Sequence, residues 1–184
     1  MDTLAVVIEA PETLSLRRLE LNDPGPADVV VEVEWSGIST GTEKLLWSGR
    51  MPPFPGLGYP LVPGYESVGR IIEAGAEVRG RIGERVFAPG SSGFKAARGL
   101  FGGAARRLVI PAVRVIPISD AVAERGVLLA LAATARHAIA GGETPDLIVG
   151  HGVLGRLLAR IAVANGGAPT VWETNPVRQG GGAG

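Results

Sequence analysis

The stretch Asp146-Leu147-Ile148-Val149-Gly150-His151-Gly152-Val153-Leu154-Gly155 constrains this chain more than any other. Residues 146–149 form a short, mostly apolar run of the kind that makes a buried strand. Gly150, Gly152 and Gly155 follow in the spacing G-x-G-x-x-G. Leu157, Leu158 and Ile161 then recur at helical spacing, with Arg156 and Arg160 between them. A strand that runs through such glycines into a helix is the context of a dinucleotide site. Glycine is needed there for a tight turn, for close approach of the backbone to a pyrophosphate, and for close packing of helix on strand. The helix N-terminus adds free N–H groups and the positive end of a dipole. Thr170-Val171-Trp172 reads as a second strand that ends at Glu173, 18 residues beyond Gly155. That is about the spacing, some 20 residues, at which an acid accepts a ribose 2′-hydroxyl. The competing reading is an ordinary glycine-rich turn with a solvated Glu173. The complete order of strand, glycines, helix, strand and acid favours the nucleotide. The expected cofactor-binding residues are Gly150, Gly152, Val153, Leu154, Gly155 and Glu173. The expected cofactor is NAD, because the charge of Glu173 opposes a 2′-phosphate.

Composition removes several classes of function. Hydrophobic residues make up 46% of the 184, so the chain can build a packed core. The formal net charge is zero and no basic run is interleaved with aromatics, which argues against nucleic acid as a partner. There is no cysteine, so disulfides, thiol catalysis and cysteine-ligated zinc are excluded. No signal-peptide pattern and no apolar run of membrane-spanning length is visible. A cytoplasmic protein without a transmembrane segment is the expectation.

Taken in order, residues 4–10, 14–21 and 29–35 read as strands separated by the turns Pro11-Glu12 and Asn22-Asp23-Pro24-Gly25-Pro26. A short helix over 42–47 is predicted with Thr42 as its cap. Residues 49–63 form a long Gly/Pro-rich loop. Further short strands are predicted over 68–74, 83–87, 104–110 and 113–118, a pattern of a barrel-like β domain. At Ser119-Asp120 the character changes. Residues 121–140 are rich in alanine and leucine and read as one helix, capped by Ser119 or Asp120 and stopped by Gly141-Gly142.

A β-barrel domain, a connecting helix and a dinucleotide unit, in that order, resemble the medium-chain alcohol dehydrogenase superfamily. Four landmarks carry the resemblance. Val33-x-x-Ser36-Gly37-Ile38 matches the strand that enters the family's substrate cleft. Pro60-Leu61-Val62-Pro63-Gly64-Tyr65-Glu66-Ser67-Val68-Gly69 resembles P-x-x-x-G-H-E-x-x-G. Val78-x4-Gly83-Glu84-Arg85-Val86 resembles V-x-x-x-x-G-D-R-V, and Gly102-Gly103-Ala104-Ala105 resembles G-G-[YF]-A. The resemblance implies a mixed β and α/β fold: a GroES-like β-barrel substrate domain over 1–120, a connecting helix over 121–142, the first half of a Rossmann NAD-binding domain over 143–179, and a flexible tail over 180–184. Complete members are longer. That implies a truncated chain, lacking most of the nicotinamide half of the site and inactive alone.

The family's catalytic zinc takes a cysteine, the histidine of G-H-E and a later ligand. Here the resemblance puts Ser39 or Thr40 at the first position and Tyr65 at the second. Neutral hydroxyls are poor zinc ligands, so no metal is expected. By the same resemblance Ser39, Thr40 and Tyr65 face the vacated metal site and are candidates for assisting removal of an alcohol proton. Glu66 is a candidate orienting group and His137 a candidate proton relay. Each has a plainer role to set beside this: packing or capping for the hydroxyls, a barrel anchor for Glu66, an ordinary helix histidine for His137. His151 is expected to point to solvent or phosphate. Met51, Phe54, Leu57 and Tyr59 are candidates for the floor of an apolar macrocycle site.

Within the superfamily, residues 36–43, 63–67, 150–156 and 172–176 resemble the enzymes of bacteriochlorophyll biosynthesis that oxidise a bacteriochlorophyllide hydroxyethyl group to acetyl with NAD. The tetrapyrrole small-molecule substrate rests on that resemblance alone, and a homodimer is kept open. Two alternatives stand. One is a zinc-free quinone or enone reductase using NADPH, for which Arg178 near Glu173 is relevant. The other is a non-catalytic nucleotide-binding fragment.

Overall fold

The computed structural model describes residues 1–181 and divides them into two compact units, Met1–Val127 and the part from Leu128 onward. Most of the tail expected over 180–184 lies outside the described residues.

In the first unit, β1 (Asp2–Ala10) and β2 (Thr13–Glu20) form an antiparallel hairpin. Five further strands, β3 (Asp28–Ser36), β4 (Ser67–Ala74), β5 (Arg85–Ala88), β6 (Arg107–Pro111) and β7 (Ile116–Pro117), form one sheet in the order β6-β3-β4-β5-β7. The β-branched run Val29-Val30-Val31 is fully buried at the centre of that sheet, which is why it reads as an unbroken apolar stretch. Alternation in β1 sends Ala5 and Val7 into the core with Leu19, Ile71, Val86, Leu108 and Ile110. The hairpin is stitched to the rest by Val6 N–H donating to the Ala104 carbonyl at 2.9 Å and by the exchange between Ile8 and Leu61 at 2.9 and 3.0 Å. The β3–β4 register shifts between Val33 and Trp35, and pairing resumes at Trp35 with Val68. That irregularity turns the ends of the two strands toward the site described below.

Three local expectations are corrected. Residues 113–118 do not form one strand: Ala112–Arg114 makes a tight helical turn and only β7 pairs. The helix over 42–47 forms as α1 (Thr42–Trp47), but Gly41 is its cap residue. The Thr42 hydroxyl lies instead 3.3 Å from that of Tyr65. The helix expected over 121–140 forms only as α2 (Leu129–Ala138). Before it, residues 120–128 run in tight 3-10 turns broken at Ala123, whose φ is +47°. Asp120 pairs with Arg70 at 2.7 Å and Arg85 at 3.3 Å, and the Ser119 hydroxyl accepts from Ala121 N–H at 3.2 Å. Gly126 lies so close to β4 and β7 that a Cβ there would sit 2.7 Å from Ile118 and 2.9 Å from Val68. Docking at both ends of this segment overrides its helical propensity.

The second unit continues from α2 with β8 (Leu147–Val149), α3 (Val153–Ala164), β9 (Thr170–Trp172) and α4 (Pro176–Gln179). β8 and β9 pair in parallel, and α3 is the crossover between them. α3 packs against α2 and buries Ala162. It stops at Asn165-Gly166-Gly167, where Gly166 takes φ +86° and Gly167 N–H returns to the Ala162 carbonyl at 2.9 Å.

The core predicts its own sensitivity. Leu108→Ala, at a fully buried side chain, is expected to cost about 2–5 kcal/mol in urea unfolding. Leu16→Ala, on the exposed face of β2, is expected to change it by less than about 0.5 kcal/mol.

Candidate functional site

The glycine turn of the second unit is built as its spacing requires. Gly150 takes φ +99° and donates its N–H to the Trp172 carbonyl at 2.8 Å. A Cβ on Gly155 would collide with the Gly150 carbonyl oxygen, so glycine is what lets α3 approach the end of β8. Gly152 is the cap residue of α3, and Val153 and Leu154 sit exposed in its first turn. The first-turn N–H groups have no intrahelical acceptors, as at any helix start. Glu173 stands at the end of β9. Its carboxylate accepts the backbone N–H of Asn175 at 2.8 Å and that of His151 at 2.8 Å. These bonds, with the nearby charge of Arg178, hold its carboxyl below the ordinary glutamate range. Depressions of about 320 and 140 Å³ border Glu173 and Trp172, the smaller one against Gly150.

The expectation for His151 is corrected. Its ring is buried, with Nδ1 at 2.6 Å from the Arg178 carbonyl, so Nδ1 carries a proton and donates. Arg156 reinforces this closure by donating to the carbonyls of His151, Arg178 and Gly180 at 3.1, 3.3 and 3.1 Å. The segment after β9 is thereby fastened to the glycine turn. His137 is exposed near the end of α2, in the same unit.

In the first unit a cleft of about 460 Å³ opens between β1, β2, α1 and the turn after β3. Its walls are mainly apolar: Val6, Ile8, Leu14, Ile38, Trp47, Pro63 and Ala104. Thr40, Glu43 and Lys44 supply the polar groups, beside Gly37 and Gly64. Of the sequence-predicted residues, Thr40 lines this cleft. Ser39 lies in the turn before α1 and its carbonyl accepts from Glu43 N–H at 2.9 Å. Tyr65 adjoins the lining residue Gly64, with its ring edge-on to Phe101 at 5.2 Å and its hydroxyl near that of Thr42. The loop residues Met51, Leu57 and Tyr59 do not floor the cleft. They pack on Ile8, Leu46 and Leu61 in a satellite core, with the Tyr59 hydroxyl donating to the Leu46 carbonyl, and Phe54 stays outside it. Apolar loop residues close to an uncovered strand edge are drawn into that core first.

Glu66 is 3% exposed, yet its Oε1 has no hydrogen-bond partner. Its carboxylate fills the space where a side chain on Gly37 would stand, and Gly37 N–H donates to the Glu66 carbonyl at 2.8 Å. Burial pushes its carboxyl above the ordinary 4.5. Sequence reasoning missed the second acid, Glu43. It lies in the first turn of α1, lines the cleft and has a buried, unpartnered Oε2. Burial pushes Glu43 up as well, and the charge of Glu66 adds to this, against the backbone N–H groups of Glu43 and Ser39. The available signal was an acid four residues past Ser39, in the turn entering α1.

The positions that the resemblance gives to zinc do not suit it. Hydroxyls stand where thiolate and imidazole are required, and that of Tyr65 is already engaged with Thr42. Among the described residues no group of three or more His, Asp or Glu side chains is placed to hold a metal ion.

A family profile described as the alcohol dehydrogenase GroES-like domain matches residues 25–120. The chain belongs to the alcohol dehydrogenase family. In the terms of this family residues 25–120 of the first unit are the GroES-like domain, and β8-α3-β9 is a parallel strand–helix–strand unit. The chain is 56% identical over 188 aligned positions to the 2-desacetyl-2-hydroxyethyl bacteriochlorophyllide A dehydrogenase of Rhodobacter capsulatus, across 100% of this chain and 60% of that protein. It is 56% identical to the protein of the same name from Cereibacter sphaeroides, across 97% of this chain and 59% of that one. The chain therefore spans about three-fifths of the length of these relatives. An alcohol dehydrogenase of Escherichia coli CFT073, solved with NADH, shares the fold at a TM-score of 0.78 and 23% identity, over 96% of this chain and 58% of its own. Among the described residues no helix is long and apolar enough to cross a membrane.

The buried Glu66 predicts a pH effect on stability. A carboxyl whose folded pKa is raised binds its proton more tightly in the folded chain. Stability is therefore lost as pH rises from the ordinary 4.5 through the folded value. Glu66→Gln removes that loss. Its melting temperature is expected to exceed that of the parent at pH 8, with the gap closing as pH falls toward 4.5. A gap that is constant with pH would remove the charge from the explanation.

Proposed function

We propose that this chain is part of an NAD-dependent alcohol dehydrogenase. Its reaction is oxidation of the 3-(1-hydroxyethyl) group of a bacteriochlorophyllide to 3-acetyl, a late step of bacteriochlorophyll a biosynthesis. The observation that carries this reading is 56% identity, along the entire chain, to the Rhodobacter capsulatus dehydrogenase. The apolar cleft with Lys44 at its wall suits a flat, largely hydrocarbon substrate with an anionic arm. In this reading residues 1–120 hold the substrate and residues 143–179 the adenosine side of the cofactor.

A nicotinamide cofactor is supported by the glycine turn and by the NADH complex of the Escherichia coli neighbour. It supplies the acceptor for hydride when bound. Gly150, Gly152 and Gly155 would let the pyrophosphate reach the backbone, and the first-turn N–H groups at Val153 and Leu154 would face it. Glu173 would accept the ribose hydroxyls. Thr40, Ser39 and Tyr65 would orient the alcohol, with Glu66 behind them and His137 as a proton relay. In the same reading the protein works without zinc and in the cytoplasm, with a homodimer kept open. A specific observation keeps a zinc-free quinone or enone reductase using NADPH as the second reading: the charge of Arg178 is near enough to Glu173 to act on its carboxyl, on the side where a 2′-phosphate would be added.

The test is an absorbance assay of hydroxyethyl-bacteriochlorophyllide oxidation with protein of the relatives' full length that contains this chain. Turnover is expected with NAD in preference to NADP, and Glu173→Ala is expected to erode that preference. Equal or better use of NADP by the parent would favour the second reading. Residues 1–184 alone are expected to give no turnover, since hydride transfer needs reacting atoms about 3–3.5 Å apart and loose placement is costly in rate. Elemental analysis of protein purified without chelators is expected to find less than stoichiometric zinc; one tightly held zinc per chain would end the zinc-free assignment.

A further inference from the structure

We propose that Glu43 is the proton acceptor of this site, with Glu66 as the residue that positions it. The proposal rests on the dehydrogenase reading above and adds a residue to it.

Oxidising a secondary alcohol removes two hydrogens by different routes. The C–H bond breaks with its electron pair, which leaves as hydride to the nicotinamide cofactor. The O–H bond breaks and its proton must be taken up while the C=O bond forms. Without a metal to acidify the hydroxyl, a protein group has to receive that proton. The hydroxyls of Thr40, Ser39 and Tyr65 can pass a proton along, but a neutral hydroxyl is not a net proton acceptor. A carboxylate is. Glu43 is the carboxylate among the residues that line the cleft, and it does so beside Thr40 and Gly37. Its Oε2 is shielded from bulk water and has no hydrogen-bond partner among the described residues, so the carboxyl of this cleft-lining residue is poorly solvated.

Glu66 stands behind this wall. It is buried, its Oε1 is equally unpartnered, and its carboxylate rests against Gly37, another residue of the cleft wall. Its charge acts on Glu43 and makes it a stronger base. The other groups near Glu43 are Lys44, which lines the same cleft, the backbone N–H groups of Ser39 and of Glu43 itself, which favour the ionised form, and the Tyr65–Thr42 hydroxyl pair. A half-buried acid on an apolar cleft with a buried acid behind it is the arrangement that brings a carboxylate toward the working pH of a general base. After transfer the new carboxyl O–H of Glu43 returns its proton to solvent at the cleft mouth.

Two measurements test the assignment. Carbon-13 NMR of residues 1–184 labelled at glutamate Cδ is expected to show Glu43 and Glu66 titrating above 4.5. Substitution E66Q should move the Glu43 midpoint down. An ordinary midpoint for Glu43 would overturn the proposal. In the full-length protein, E43Q is expected to lower kcat/KM for alcohol oxidation by about 100-fold or more. E43D should recover part of that loss, and E66Q should move the acid limb of the pH profile to lower pH. If the parent oxidises the alcohol while E43Q stays within threefold with an unchanged acid limb, Glu43 is not the base although the dehydrogenase reading stands. If the parent oxidises no hydroxyethyl-bacteriochlorophyllide with NAD or NADP, that reading fails and this proposal falls with it.

Discussion

Glu66 occupies the space that any side chain on Gly37 would need, and the Gly37 N–H donates to the Glu66 carbonyl at 2.8 Å. The rest of the first unit's site hangs on this one contact. The bulge between Val33 and Trp35 brings the ends of β3 and β4 together. Gly37 then lets the chain pass over a buried carboxylate instead of being pushed away by it. The turn through Ile38, Ser39 and Thr40 follows, and Gly41 starts α1 at the point where Glu43 faces the cleft. A larger residue at 37 would displace either the turn or Glu66. Both cleft wall and acid are therefore set by a single missing side chain.

Keeping two carboxylates in such surroundings is costly. A buried polar oxygen without a partner costs about 1–3 kcal/mol, more when charged. Glu43 and Glu66 each carry one such oxygen. The β core on the other side of the wall supplies the stability that holds them there, through Val29, Val30, Val31 and Ile71 at full burial. A fold shaped by stability alone would place apolar or exposed residues at both positions. Strain retained against that tendency is the usual mark of a working site.

Much of the fold was legible because it rests on local rules. Val29-Val30-Val31 announced a central strand, and the glycine spacing announced a strand, a turn and a helix. What escaped depends on distant partners. Asp120 looks like a helix cap until Arg70 and Arg85 take its carboxylate, and Gly126 looks like a flaw in a helix until Val68 and Ile118 are seen against it. His151 reads as a solvent-facing turn residue because nothing local shows that the Arg178 carbonyl will come to its ring. The site divided in the same way. Glu66 was marked by the motif around it. Glu43 became visible only when folding put it on the cleft wall and placed the charge of Glu66 within reach. Two acids 23 positions apart in sequence carry no periodic signal that pairs them.

Glu173 shows how one group can serve structure and selectivity together. Its two oxygens hold the N–H groups of His151 and Asn175, which ties the glycine turn to the residues that follow β9. A carboxylate has about four lone-pair positions, so two backbone bonds leave acceptor capacity for a further hydroxyl. The same bonds keep it ionised. A second anion beside it meets repulsion that increases as solvent is excluded. The charge that orders the turn is thus also the one an incoming anion would meet. Arg178 is the counterweight: its carbonyl is held by His151 and Arg156 while its guanidinium stays near Gly152. These two opposite charges are fixed in place beside the turn by one buried imidazole and one arginine.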